Sequence, residues 1–354
     1  MIRRSVDGML DAGMTSTRVT RAVFRYSLFL VVAGVLAALL VAADERADVV
    51  SPMPVIREAT EPASSATTTT TTAPSVFPPL ERTDEVRAVR TPSGFVLPVM
   101  AGGPGAWEVL TPCAYSTVVD GEPVRRAHVV LDAGHGGSEP GAVGPTGLTE
   151  REVNLDIARR TKAALEAEGA VVVLTRPEDV RMTLETRAAI VNAVQPLVFV
   201  SIHHNAAPLG VGPEPAPEFY HQLADPESKR LAGLLWEELW PTLASFGSEW
   251  AVGDGPGARA RQSVRSGDDF YGVLRRTQGV PAVLSEPMYL SDPDEEALLR
   301  DPTFRQAEAD AITRAIVRFV STPDPGSGFA ATKVSDASAG GGGGQSGCRD
   351  PALS

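Results

Sequence analysis

Two periodicities alternate through the middle of the chain. Short apolar, β-branched runs at 128–131, 170–175, 197–202 and 281–285 read as buried strands. Between and after them lie segments with helical spacing. One covers 152–168, with Val153, Ile157, Ala158 and Leu165 on one face and Gly169 as a stop. A second covers 184–194; a third opens on Asp225 and Pro226 and turns Leu231, Leu234, Leu235 and Leu239 inward; a last one covers 304–319. Strand and helix in alternation predict an α/β fold over 127–321, a three-layer domain whose largely parallel central sheet is flanked by helices. Upstream, β-like runs at 94–99 and 107–111, broken by Gly102-Gly103-Pro104-Gly105, predict a small β-rich lead-in over 86–126. The stretch 246–268 is Gly-rich without apolar periodicity and predicts a mobile loop.

The longest uncharged run is 26–43, preceded by Arg18, Arg21 and Arg25 and followed by Asp44 and Glu45. As a helix it would extend roughly 27 Å, close to the thickness of the hydrocarbon layer. The charge asymmetry predicts a basic cytoplasmic segment at 1–25, a transmembrane anchor at 26–43 and an exported remainder. Val41-Ala42-Ala43 keeps open the alternative of a cleaved signal peptide. Residues 44–85 are rich in Thr, Pro, Ser and Ala, including six consecutive threonines at 67–72, and predict a disordered linker. The Gly-rich tail 322–354 predicts the same.

Composition narrows the chemistry. Two cysteines cannot build a multi-cysteine metal cage, so a metal site must draw on the five histidines and on carboxylates. In an exported protein Cys113 and Cys348 could instead form a disulfide. The net charge of −12, with +3 in residues 1–25 and −15 in the rest, argues against nucleic acid as a partner.

In parallel sheets ligands gather at the carboxyl ends of strands. The first strand here ends in Asp132-Ala133-Gly134-His135-Gly136-Gly137, the third in His203-His204-Asn205, and the late one in Ser285-Glu286-Pro287, while Glu150 stands at the start of the first helix. Two histidines and a carboxylate are the ligand set of a hydrolytic zinc centre, and a further carboxylate can act as general base. His203 and His204 are adjacent, so they point to opposite sides and only one faces the metal. His128 and His221 read as structural histidines on or beside strands.

Seven ordered blocks carry a resemblance to a known family: VVLDAGHGG (129–137), GLTEREVNL (147–155), VVVLTR (171–176), TLETRAAIVNA (183–193), SIHHNA (201–206), DFYGVLR (269–275) and VPAVLSEPMYLSDPDEEALL (280–299). Over about residues 127–321 the chain resembles the zinc-dependent N-acetylmuramoyl-L-alanine amidases of bacterial cell walls. The resemblance implies one zinc ion held by His135, Glu150 and His203, with Glu152 as a competing carboxylate, and Glu286 as catalytic base. It implies peptidoglycan as substrate, cut by zinc-activated water at the amide between N-acetylmuramic acid and L-alanine. Ala133, His204 and Pro287-Met288 depart from the family pattern without removing a ligand. Asn205 and Arg265 are candidate substrate-binding residues. With Arg259 and Arg261, Arg265 offers positive charge to stem-peptide carboxylates, or else belongs to a solvated loop. Two alternatives stay open: a zinc peptidase cutting within the stem peptide, and an inactive wall-binding regulator. The expected location is the bacterial cell envelope, outside the cytoplasm. No feature of the chain specifies a protein activator.

Overall fold

A strand covered on both faces reads as a near-continuous apolar run, and the runs read from the sequence follow this with Asp132, Ser201 and Ser285 as buried polar exceptions. Val129–Ala133 (β6) and Val198–Ile202 (β8) are buried at every residue, and Ala282–Glu286 (β11) at all but the last. The computed structural model describes residues 75–206, 216–247, 257–336 and 343–354. The predicted anchor at 26–43 lies outside the described residues, as does all of the predicted linker before Ser75. No helix among the described residues is long and apolar enough to cross a membrane.

The chain first builds a five-stranded antiparallel sheet from Ala88–Arg90 (β1), Val96–Gly103 (β2), Ala106–Leu110 (β3), Ser116–Val119 (β4) and Glu122–Val124 (β5), in the order β4-β3-β2-β1-β5. Gly102 and Gly105, both at positive φ, turn the chain between β2 and β3. A seven-stranded sheet follows. Its further strands are Val172–Leu174 (β7), Glu218–His221 (β9), Gly257–Ser263 (β10) and Lys333–Ser335 (β12), and its order is β12-β10-β9-β11-β8-β6-β7. All pairings are parallel except β9 with β11, which makes the sheet mixed.

Alternate residues of each strand sort into two cores. Val129, Leu131, Val198, Val200 and Val283 face the helices Glu150–Ala167 (α1), Pro226–Ala244 (α3) and Pro302–Ser321 (α6). Val130, Val173, Phe199, Tyr220 and Leu284 face Leu184–Val194 (α2), beyond which the five-stranded sheet packs through Val89, Phe95 and Leu97. The short helices Gly272–Arg275 (α4) and Pro293–Arg300 (α5) complete the described elements.

Three expectations need correction. Part of the forecast loop 246–268 is β10, in which Ala258 joins the core on the helix side while Arg259 and Arg261 alternate to the other; a strand of alternating alanine and arginine has the period of a sheet without a hydrophobic run. The tail is not structureless: β12 pairs with the edge of β10, and Cys348 is disulfide-bonded to Cys113. That bond offsets the ordering cost that composition alone predicts would win. The end of the predicted linker is also packed, since Phe77 is buried beside His128 and Ser75 hydrogen-bonds the carbonyl of Glu168.

Candidate metal centre

The site begins with a loop that the chain would not adopt unaided. His135 follows β6 with φ +60, a left-handed conformation costly for a residue with a Cβ. Two buried arginines hold it. Arg187 of α2 donates to the carbonyls of Ala133 (2.8 Å) and His135 (2.6 Å) and pairs with Asp132. Arg176, after β7, donates to the carbonyls of Ala133 (2.8 Å), Gly134 (3.0 Å) and Arg151 (2.8 Å). Burial, reinforced by the like charge of Arg187, lowers the Arg176 guanidinium to about 9. Burial pushes the Asp132 carboxyl up, but Arg187 and the hydroxyls of Thr175 (2.6 Å) and Ser201 (2.7 Å) outweigh it and hold that carboxyl below its usual range. Neither arginine nor Asp132 was singled out from the sequence. For Asp132 and Arg176 the available signal was a charged residue within or just after an otherwise apolar strand; Arg187, inside α2, carried no such signal.

Glu150 is the first residue of α1 and is buried. Its Oε2 lies 3.1 Å from His135 Nε2 and its Oε1 2.9 Å from His203 Nδ1. The amides of Ala142 (2.8 Å) and His204 (3.1 Å) and the side chain of Asn154 (3.2 Å) also donate to it. Burial disfavours its charge, yet hydrogen bonds with the two histidines hold its pKa well below the usual carboxylate range. Burial lowers the His203 imidazole, against the pull of Glu150. The trio therefore presents an ionised carboxylate beside a histidine biased to neutrality, the protonation states that a zinc site requires. Donor atoms of His135, Glu150 and His203 all lie within 4.8 Å of one another. Space is kept for them by missing side chains: a Cβ on Gly141, at φ +70, would stand 2.3 Å from Glu150 Oε2 and 2.7 Å from His135 Cδ2. Both the chemistry and the spacing of the donors fit one zinc ion.

Glu286 ends β11 and lines a cleft of about 280 Å³ together with His135 and His203. Burial, then the charges of Glu150 and Glu218, raise its pKa well above the usual carboxylate value. Its Oε2 is buried without a hydrogen-bond partner among the described residues. Phe270, Tyr271 and Leu184 form cleft walls, and Gly343 of the tail reaches the same cleft.

The other candidates separate clearly. Glu152 caps α1 through Thr149 Oγ1 (2.7 Å) and its amide (3.2 Å), which removes it as a competing ligand. His204 turns away from His203, bonding Asn154 Oδ1 (2.7 Å) and Glu308 Oε2 (3.3 Å) in the interior. His128 contacts the Pro78 carbonyl and the Val171 amide, and His221 the Gln222 carbonyl. Asn205 is not in the cleft wall: its side chain donates to Glu218 Oε2 (3.3 Å). Arg265 stands on an exposed turn after β10, likewise away from the cleft lining. The end of a strand suggests a ligand-facing side chain; Asn205, just past β8, is instead drawn to the buried Glu218 carboxylate of β9, on the far side of β11.

A family model described as N-acetylmuramoyl-L-alanine amidase matches residues 129–318, more than half of the chain. The N-acetylmuramoyl-L-alanine amidase AmiC of Neisseria meningitidis serogroup B is 33% identical over 230 residues, covering 56% of this chain and 54% of that protein. The uncharacterized protein YqiI of Bacillus subtilis is 34% identical over 210 residues, covering 58% and 89%. Among solved structures, the catalytic domain of CwlV, an N-acetylmuramoyl-L-alanine amidase from Bacillus (Paenibacillus) polymyxa var. colistinus, is 31% identical, with 55% of this chain and 98% of that one covered and a TM-score of 0.46. The chain thus spans about half the length of the first of these relatives. With the model match extending from the first strand of the large sheet into its last helix, across every residue of the His135–Glu150–His203 cluster and Glu286, the chain belongs to the N-acetylmuramoyl-L-alanine amidase family.

Proposed function

We propose that this protein hydrolyses the amide between the lactyl group of N-acetylmuramic acid and L-alanine in peptidoglycan. The observation that carries the reading is the convergence of His135, Glu150 and His203 within 4.8 Å on a cleft shared with Glu286. A zinc ion held by these three residues would supply Lewis acidity toward the amide carbonyl and lower the pKa of water. Glu286 takes the proton of the attacking water and delivers it to the alanine nitrogen as the C–N bond breaks and the new C–O bond forms. A carboxyl whose pKa is raised by burial and neighbouring acids suits both halves of that transfer. Its unpartnered buried oxygen leaves a place for the proton it carries.

The same reading places the protein outside the cytoplasm, with the run at 26–43 as its membrane anchor. The Cys113–Cys348 disulfide supports an oxidising compartment. The test is digestion of purified peptidoglycan by the full chain, with and without a chelator. New lactyl ends on glycan and new L-alanine amino termini, both lost on chelation and restored by zinc, are expected. Release of internal stem-peptide termini instead would identify a peptidase and reject the reading.

A further inference from the structure

Glu150 and Asn154 stand one turn apart on α1 and so share a face. The Asn154 amide meets two groups that can only accept: Glu150 Oε1 (3.2 Å) and the carbonyl of Gly134 (3.2 Å), the residue against which the His203 ring packs. Its nitrogen must point at them. That leaves Oδ1 for His204 Nδ1 at 2.7 Å and requires the histidine to carry the hydrogen of this bond. The other ring nitrogen, Nε2, lies 3.3 Å from Glu308 Oε2, with one proton between the two atoms. Glu308 belongs to α6, which packs on α1. An unbroken row of hydrogen bonds thus runs from a core helix to the metal-site carboxylate, through Glu308, His204, Asn154 and Glu150.

The row is costly where it starts. The side chains of His204 and Glu308 are both 0% exposed, and Glu308 Oε1 is buried without a hydrogen-bond partner among the described residues. Its neighbours on α6, Phe304, Ala309, Ala311 and Ile312, are part of the apolar core on the helix side of the sheet. Apolar side chains fill such a place at least as well, and exchanging a buried His–Glu pair for them is often neutral or stabilising. Stability therefore does not account for the pair, whereas its contact with Asn154 does. His204 departs from the family pattern, which makes the linkage through it particular to this chain.

We propose that Glu308 is a positioning residue for the metal centre: through His204 and Asn154 it fixes the Glu150 carboxylate and so raises zinc affinity. This deepens the amidase reading and rests on its zinc site. A ligand already oriented by preformed hydrogen bonds loses little freedom when the metal arrives, and bonds in a row polarise one another. The ring and backbone of His204 act together, because its amide also donates to Glu150 Oε1 (3.1 Å).

The experiment measures zinc affinity of the full chain against a competing chelator, the visible bands of the cobalt(II) protein, which report ligand geometry, and the melting temperature of the chelated protein. Glu308→Leu should lower zinc affinity about 10- to 100-fold and shift the cobalt bands. Glu308→Gln should stay within about threefold of wild type, because its amide can donate to His204 Nε2. The double variant His204→Leu with Glu308→Leu removes the pair without orphaning either partner, and carries the prediction where the single variant does not fold. Unchanged zinc affinity and cobalt bands in the leucine variants, with only the chelated melting temperature altered, would mark a merely structural pair and overturn the inference. Equal losses in Glu308→Gln and Glu308→Leu overturn it too, since the hydrogen bond to His204 would then not be what matters. If wild type binds no zinc, the metal-centre reading itself fails, and this inference with it.

Discussion

Gly134 and His203 are in contact so close that a Cβ on Gly134 would lie 2.2 Å from His203 Cε1 and 2.3 Å from its Nε2. The histidine ring occupies the place of the missing side chain. Gly134→Ala must therefore push the imidazole away from Glu150, while the buried core around β6 is unchanged. Zinc affinity should fall about 10- to 100-fold, as it does when a ligand's orienting support is lost. Titration with a competing chelator checks this; wild-type affinity would show that the ring can move without leaving the donor cluster.

Glu286→Gln separates metal binding from proton transfer. Zinc stoichiometry should stay at one, while turnover of a muramoyl-peptide falls by about 10²- to 10⁴-fold. The pH dependence of the metal-free protein has a definite sign. The Glu286 carboxyl is raised in the fold, so its contribution to stability is complete below the unfolded value of 4.5 and is lost as pH rises toward the folded value. The amide does not titrate, so the chelated Glu286→Gln protein should lose less stability than wild type between pH 5 and the folded value. Parallel melting-temperature profiles for the two proteins would refute this.

Asp132 and Arg187 form a pair buried beneath the His135 loop. Asp132→Asn leaves the Arg187 charge without its counter-ion and should cost about 3–5 kcal/mol, the usual penalty for breaking a buried pair from one side. The Asp132 carboxyl is depressed in the fold, so its stabilisation is present above the unfolded value of 3.8 and is lost as pH falls toward the folded value. Denaturant titrations at pH 7 and pH 3 should show the difference between wild type and variant shrinking in acid. A constant difference would mean that the pair is not the source.

Removing the disulfide by Cys113→Ser with Cys348→Ser should destabilise the protein by about 2–4 kcal/mol. It should also free the tail, whose Gly343 carbonyl accepts from the Leu184 amide (3.0 Å) and whose Gly344 and Ser346 carbonyls accept from Arg181. Hydrogen exchange at Leu184 reports this locally. Unchanged protection there would mean that the tail docks without the bond.

Much of the fold was legible because it rests on short-range pattern. Continuous apolar runs marked β6, β8 and β11, and helical spacing marked α1, α2, α3 and α6, since burial on both faces or on one stripe leaves a periodic trace. The trio His135, Glu150 and His203, with Glu286, could be read from strand ends and from the family resemblance. β10 and β12 could not, because a strand of alternating arginines and alanines carries no apolar run, and a three-residue strand in a Gly-rich tail carries no pattern at all. Asn205 shows the same limit: its position was readable, but its attraction to Glu218 depends on a strand brought alongside by the antiparallel turn of β9. What the sequence determined by itself is which residues are apolar, which can ligate and in what order they come. Only the tertiary structure decided which charges answer one another, Arg187 with Asp132, and Glu218 with Arg259 and Lys333, because charge compensation is a matter of distance across the fold and leaves no periodicity along the chain.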